Sequence, residues 1–147
     1  MKIGITNDHR GVKKKQLLTN FLTDLGYTIN NYGTDTEDSV DFPDYAYKLG
    51  RAIQNNEVDL GIAICGTGIG MSIVLNKMKG VYCAKVANVS EAILSKSHND
   101  ANVIAISEEM DDFTTKEVIV KFIETPFSNV DRYVLRNEKI KDIENAL

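Results

Sequence analysis

Five short apolar segments alternate with helical patterns along this chain, and this alternation constrains the fold more than any other feature. The segment from Val58 to Ile64 is almost wholly apolar, which is typical of a strand covered on both faces. Such strands belong to parallel sheets that carry helices on either side. The sequence therefore predicts an α/β fold, a three-layer α/β/α sandwich around a five-stranded parallel, Rossmann-like sheet.

The predicted strands and helices occupy most of the chain. In the first helix, Leu18, Leu22 and Leu25 lie on one face, and Gly26 follows where a helix is expected to end. No repeat, linker or low-complexity segment is present, so residues 1–147 are expected to form a single domain. Strands are predicted at 2–6, 27–32, 58–64, 81–86 and 102–106, and helices at 12–25, 43–55, 68–78, 90–97, 113–124 and 132–147.

The composition is that of a globular protein without a basic surface. The chain is 43% hydrophobic and 26% charged, and its net charge of -4 gives nucleic acid no overall attraction. No apolar stretch is long enough to cross a bilayer, and the first residues lack a signal-peptide pattern. We therefore expect a cytoplasmic protein without nucleic-acid or membrane partners. Its two histidines are far apart in sequence, which gives no support to a metal site.

The strongest local signal is the glycine-rich loop from Cys65 to Gly70. Its three glycines follow a buried strand and open a helix, where backbone N–H groups can approach an anion closely. A tight turn without a ligand is one alternative, and a dinucleotide-binding loop is another. The third glycine, however, comes one residue too early for the dinucleotide motif, and the loop follows the third strand instead of the first. The nucleotide alternative is therefore disfavoured.

Cys65 stands at the head of this loop, beside a predicted helix N-terminus. That position favours the thiolate, which can act as a nucleophile or as a general base, and position alone does not decide between them. Cys83 lies inside a predicted strand and is expected to be an inert apolar side chain. Both cysteines are expected to be free thiols in a reducing compartment.

Two histidines and two arginines are further candidates. His9 ends the first strand and His98 ends a helix, and both are expected at the ligand-binding edge of the sheet. Arg132 and Arg136 are four residues apart on one helix face. They could bind a phosphate through charge-assisted hydrogen bonds, or they could simply be two surface arginines.

These residues together resemble the family of ribose-5-phosphate isomerase B and the galactose-6-phosphate and allose-6-phosphate isomerases. The resemblance runs from Met1 to about Ile140. Its landmarks are Asn7-Asp8-His9, Gly33-Thr34, the segment 39–45, the loop 65–72, Asn76-Lys77, the segment 97–103, and Arg132 with Arg136.

The resemblance implies an aldose–ketose isomerase that acts on a phosphorylated sugar through a cis-enediolate, without a cofactor or metal. Cys65 would be the general base with Thr67 close to its thiol, and His98 would help to open the sugar ring. The arginines reach a neighbouring subunit in the family, which implies a homodimer or homotetramer with shared sites and a last helix packed on the neighbour. Substrate-binding roles fall to Asp8, His9, Asp41, Gly66, Thr67, Gly68, Ile69, Gly70, Asn99, Arg132 and Arg136.

Several positions depart from the family pattern. Glu109 and Tyr82 stand where arginines are usual, and Phe42 replaces a tyrosine. Arg10 replaces a small residue beside His9, and we hypothesise that it restores the missing positive charge. These changes concern the substrate more than the reaction. A tetrose or hexose phosphate is therefore an open alternative, as is a non-catalytic sugar-phosphate-binding protein.

Overall fold

A parallel sheet of five strands forms the centre of the computed structural model, which describes all residues from 1 to 147. The strand order is β2-β1-β3-β5-β4, and every neighbouring pair is parallel. The central strand β3 is buried along its whole length, which explains its continuous apolar run. The strands are β1 (Lys2–Asn7), β2 (Thr28–Asn31), β3 (Leu60–Cys65), β4 (Cys83–Lys85) and β5 (Val103–Ser107).

Six helices and a one-turn 3₁₀ helix at His9–Gly11 surround this sheet. One apolar core joins the sheet to α1, α4 and α5, and a second joins its opposite face to α2 and α3. The predicted three-layer α/β/α sandwich with a five-stranded parallel sheet is therefore confirmed. The helices are α1 (Val12–Asp24), α2 (Phe42–Gln54), α3 (Ile69–Leu75), α4 (Val89–Ser97), α5 (Asp112–Glu124) and α6 (Asp131–Asn145).

Large and small residues alternate along the strands, and their size sets how closely each helical layer approaches the sheet. On β3, Ile62 and Ile64 face the first core, while Ala63 and Cys65 face the second. A Cβ added at Gly61 would lie only 3.0 Å from the side chain of Leu49. The small residues on this face allow α2 to lie close to the sheet. Cys65 consequently faces the side that α2 and α3 cover.

Some element boundaries differ from those expected. The fourth strand is only three residues long instead of six, and it lies at the sheet edge, where it pairs with β5 alone. The third helix ends at Leu75 instead of residue 78. The last helix, α6, has no buried residue, in keeping with its polar sequence. None of the helices combines the length and the apolarity that crossing a bilayer would require.

The chain leaves β3 towards one face of the sheet, whereas it leaves both neighbouring strands towards the other. Helix α3 follows β3 into the second core, while α1 and α5 follow β1 and β5 into the first. Adjacent strands whose connections diverge in this way leave a crevice at their carboxyl ends. The end of β3, where Cys65 lies, is thus flanked by a crevice on each side.

Candidate active site

Cys65 is held at the carboxyl end of β3 by a hydrogen bond to its sulfur. The N–H of Gly68 donates to Sγ at 3.1 Å, and the residue keeps 5% of its surface exposed. A donor at this position stabilises negative charge on the sulfur. Gly68 has a φ of 81°, and a Cβ there would lie 3.0–3.2 Å from backbone atoms of Ile106. The loop therefore requires glycine where it delivers this N–H.

The rest of the glycine-rich loop is fixed by its own side chains and by the end of β5. Thr67 Oγ1 accepts a hydrogen bond from Ile69 N at 3.1 Å. Ser107 Oγ donates to the Gly66 carbonyl at 2.7 Å, and Glu108 N donates to the Cys65 carbonyl at 2.9 Å. The amides of Gly66 and Thr67 make no hydrogen bond within the chain. Two unpaired donors are therefore held rigidly beside the thiol, as an oxyanion site requires.

The turn after β1 lies directly against this loop. Asp8 N donates to the Ile64 carbonyl at 3.2 Å, and Asp8 Oδ1 accepts from Arg10 N at 2.9 Å. His9 Nδ1 accepts from Val40 N at 3.1 Å, so the neutral ring carries its proton on Nε2. This contact ties down the segment that ends at Asp41. Asp8, His9 and Asp41 are thus held on the same side of the sheet as Cys65.

The next residue, Phe42, closes this part of the site with its ring. A Cβ added at Gly70 would lie 2.8 Å from that ring, so the aromatic side chain packs on the start of α3. Because this chain has Phe42 where the family usually has a tyrosine, the ring beside the loop is apolar and carries no hydroxyl.

An ion pair that the sequence did not predict crosses the end of β3. Arg10 Nη2 lies 2.7 Å from Glu108 Oε1 and 3.8 Å from Glu109 Oε1. The Glu109 side chain is 75% exposed. The hydrogen bond to Glu108 raises the pKa of Arg10, so the guanidinium stays charged at any working pH. The only sequence signal for this pair was that both segments depart from the family pattern.

A second cluster gathers the remaining candidates around the aromatic ring of Tyr133. The His98 ring stacks on Tyr133 with centroids 4.1 Å apart. The guanidinium carbons of Arg132 and Arg136 lie 4.6 and 5.8 Å from the same ring centroid. Asn99 belongs to this group as well, since its side chain hydrogen-bonds to that of Asn137 at 3.2 Å. Sequence reasoning did not assign a role to Tyr133.

This second cluster lies at the opposite edge of the sheet from Cys65. Helix α4 starts beyond the carboxyl end of β4 and ends where the chain re-enters the sheet at β5, so His98 and Asn99 lie at the amino edge. The expectation that both histidines lie at the ligand-binding edge of the sheet is therefore wrong for His98, which lies at the amino edge of its own chain. A single copy brings Cys65, Asp8, His9 and Asp41 together but leaves His98 and the arginines apart from them.

Two further side chains have clear structural roles. Tyr82 donates its hydroxyl hydrogen bond to Glu144 at 2.8 Å and so anchors α6, and burial raises its pKa to about 12. Burial likewise raises the pKa of Cys83 to about 12, which keeps that residue a neutral thiol. Tyr82 thus lies away from the Cys65 loop. No group of three His, Cys, Asp or Glu side chains is arranged to ligate a metal ion.

Known proteins are similar to this chain in both fold and sequence. A sequence model of the family described as Ribose/Galactose Isomerase matches residues 3–140. The chain belongs to this family. Membership in the ribose/galactose isomerase family confirms the resemblance and the predicted enzyme class, an isomerase of the ribose-5-phosphate isomerase B type.

Individual members of the ribose/galactose isomerase family match over four-fifths of the chain or more. Ribose-5-phosphate isomerase B of Escherichia coli is 35% identical over 119 residues, which are 81% of this chain and 80% of that protein. The structure of Clostridium thermocellum ribose-5-phosphate isomerase B has a TM-score of 0.96 and 37% identity, covering 99% of each chain. That of the Mycoplasma genitalium enzyme, with bound ribulose 5-phosphate, has a TM-score of 0.92 and 30% identity, covering 99% of this chain and 97% of that one.

Proposed function

We propose that this protein interconverts an aldose phosphate and a ketose phosphate, of the ribose 5-phosphate and ribulose 5-phosphate type, with Cys65 as the general base. The observation that carries the proposal is the arrangement at the end of β3. A thiol that accepts the Gly68 N–H at 3.1 Å lies beside the unpaired amides of Gly66 and Thr67. The bound ribulose 5-phosphate in the Mycoplasma genitalium structure supports the choice of sugar.

The chemistry requires a base and an oxyanion site at adjacent positions. The Cys65 thiolate removes the proton from the carbon next to the sugar carbonyl, and the carbonyl oxygen then gains negative charge as the cis-enediolate forms. The N–H groups of Gly66 and Thr67 are placed to hold that oxygen. Transfer of the hydroxyl proton from the neighbouring oxygen to the former carbonyl oxygen, and return of the proton from the thiol to the former carbonyl carbon, complete the exchange of aldose for ketose. No bond between sulfur and carbon is needed.

We further propose that the site is completed by a second copy of the chain. His98 lies at the sheet edge opposite Cys65, so it can assist ring opening only at the Cys65 loop of another subunit. Arg132 and Arg136 share its cluster and would bring cationic groups for the phosphate. Asn99 would contribute a substrate contact from the same side. The exposed helix α6 would pack on the neighbouring subunit.

Replacing Cys65 with alanine tests the role of the base. We expect kcat to fall by about 10²- to 10⁴-fold, the usual contribution of a positioned proton-transfer group. Cys83→Ala is the matched control, since it removes a thiol that burial keeps neutral, and it should retain kcat. Full activity of the Cys65→Ala variant on the best substrate would show that another group is the base.

Co-expression of two inactive variants tests the shared site. Subunits carrying Cys65→Ala and subunits carrying His98→Ala receive different tags, and the mixed dimer is purified through both. If each site combines Cys65 of one subunit with His98 of the other, the mixed dimer keeps one intact site and about half of the wild-type activity. If each site lies within one chain, both sites of the mixed dimer are damaged and no activity returns.

The identity of the sugar is a separate question, because the carboxylates of Glu108 and Glu109 stand near the loop. A coupled assay with pentose, tetrose and hexose phosphates determines the best substrate. Turnover of a tetrose or hexose phosphate above that of ribose 5-phosphate would favour the alternative isomerase. Tight binding without turnover across the whole panel would favour a non-catalytic sugar-phosphate-binding protein.

A further inference from the structure

The ion pair between Arg10 and Glu108 crosses directly over the Cys65 loop. Arg10 follows β1 and Glu108 follows β5, and β3 lies between those two strands. A contact of 2.7 Å between their side chains must therefore pass over the carboxyl end of β3. The position that a Cβ on Gly66 would occupy is 3.7 Å from Arg10 Nη1, which places the guanidinium above that residue.

Only part of the guanidinium is used by this ion pair. Nη2 donates to Glu108 Oε1, while Nη1 and Nε donate to no group of the chain. A guanidinium has five N–H donors, so most of them remain available beside Gly66. The Gly66 amide itself is also unpaired. A positive charge and several free donors thus converge on one place, next to the thiol that accepts the Gly68 N–H.

We propose that Arg10 is a catalytic residue that binds the substrate oxygen on which negative charge develops at the Cys65 loop. The inference rests on the proposed isomerase function and adds to it a side-chain cation where the backbone alone would otherwise hold the oxyanion. The carboxylate of Glu108 neutralises part of the charge of Arg10. The side chains are 52% and 26% exposed, so substrate can reach the guanidinium without breaking a buried pair.

The proposal predicts opposite effects from removing the two partners. Arg10→Ala should lower kcat by at least about 10-fold, with KM changed much less, because the contact strengthens in the transition state. Glu108→Gln keeps the size and an acceptor oxygen but removes the negative charge, so it should retain kcat or raise it by up to about 5-fold. Arg10→Lys should recover part of the lost activity. Arg51→Ala, which removes an exposed arginine at the end of α2, is the matched control and should keep wild-type kinetics.

A purely structural ion pair would behave differently. If Arg10 and Glu108 only hold the two loops in place, both variants should lose kcat together, and that result would overturn the proposal. Equal kinetics of Arg10→Ala and wild type would do the same. In either case turnover of a sugar phosphate by the wild-type protein would leave the proposed isomerase function standing.

A binding measurement tests the same idea without turnover. The probe is the hydroxamate of a four-carbon sugar acid phosphate, whose hydroxamate group imitates the enediolate, and the titration is followed by calorimetry. Arg10→Ala should weaken the binding of this analogue by at least about 10-fold more than it weakens the binding of inorganic phosphate. Equal weakening of both ligands, or of neither, would refute a role at the reacting oxygen.

Discussion

Replacing Gly68 with alanine perturbs the loop at the point where its backbone touches both Cys65 and β5. The φ of 81° places residue 68 in the left-handed region, which costs an alanine about 1–2 kcal/mol. The new Cβ would also lie 3.0–3.2 Å from three backbone atoms of Ile106. A strand backbone cannot rotate away as a side chain can, so overpacking adds about 1–3 kcal/mol. The total loss should be about 2–5 kcal/mol of unfolding free energy.

Gly26→Ala is the matched control for this substitution. Gly26 also has a positive φ, 98°, but a Cβ there would have nothing within 4 Å. It should cost only the conformational term of about 1–2 kcal/mol. Urea unfolding at equal protein concentration gives both values, and the difference between them isolates the contact with Ile106. Equal losses for the two variants would refute the claim that residue 68 is confined by β5.

The same variant tests whether the Gly68 N–H matters for catalysis. Relief of the contact with Ile106 must move the loop, and the hydrogen bond to Cys65 Sγ lengthens with it. Loss of a hydrogen bond to a charged group such as the thiolate costs about 1.5–3 kcal/mol, so kcat should fall by about 10- to 100-fold. Gly26→Ala should keep wild-type kcat. A Gly68→Ala enzyme that unfolds earlier but retains full kcat would separate the stability of the loop from its chemistry and contradict the proposed role of this N–H.

Two further predictions concern the surrounding fold. Lys15→Ala should cost about 1–3 kcal/mol in urea unfolding, because it removes the hydrogen bond that the buried Lys15 Nζ donates to the Thr34 carbonyl at 2.6 Å and leaves that carbonyl only the Asn7 Nδ2 donor at 3.0 Å. The hydrogen bond from Lys15 also lowers the pKa of Asp35 below its ordinary value of 3.8. The pair therefore stabilises the fold above pH 3.8, and this stabilisation is lost as the pH falls further. The loss of stability in acid should be smaller in Lys15→Ala. Tyr82→Phe should speed limited proteolysis of α6, since it removes the donor to Glu144. The pKa of Tyr82 is raised from its ordinary 10.0 to about 12, so its hydroxyl is protonated in the folded protein below that pH. Its contribution to stability should therefore persist below pH 10 and disappear as the pH rises from 10 to about 12.

The sequence was sufficient for the features that depend on local pattern. The continuous apolar run of β3 and the helix periodicity of α1 follow from residues that are neighbours along the chain. The strand order was not visible in that pattern. Strand β5 lies between β3 and β4, so a strand that comes later in the chain separates two that come earlier. That arrangement depends on long-range packing, which periodicity does not encode.

The candidate site was predictable to the same extent. Cys65 and Asp8 meet because β1 and β3 are adjacent parallel strands, a relation that the rule for carboxyl-edge loops anticipates. The sequence-based prediction for His98 was wrong because this residue follows the end of a helix, and a helix that connects parallel strands ends at the amino edge of the sheet. The contact between Arg10 and Glu108 joins residues 98 positions apart and depends on the order of three strands. Arg10 and Glu109, which both depart from the family pattern, also lie close together, with Arg10 Nη2 3.8 Å from Glu109 Oε1.

The distribution of charge around the two clusters supports an active site assembled from two chains. At the carboxyl edge of the sheet, four carboxylates lie in the segments that follow β1, β2 and β5, and Arg10 lies within 3.8 Å of two of them. They are Asp8, Asp41, Glu108 and Glu109. A dianionic phosphate would be repelled there, whereas the single charge of an enediolate oxygen can be held by Arg10 and two amides. Arg132 and Arg136 supply unpaired cations at the other edge, beside His98. In the proposed two-chain site, the phosphate of the sugar lies against the arginines of one chain while its carbonyl lies at the cysteine of another.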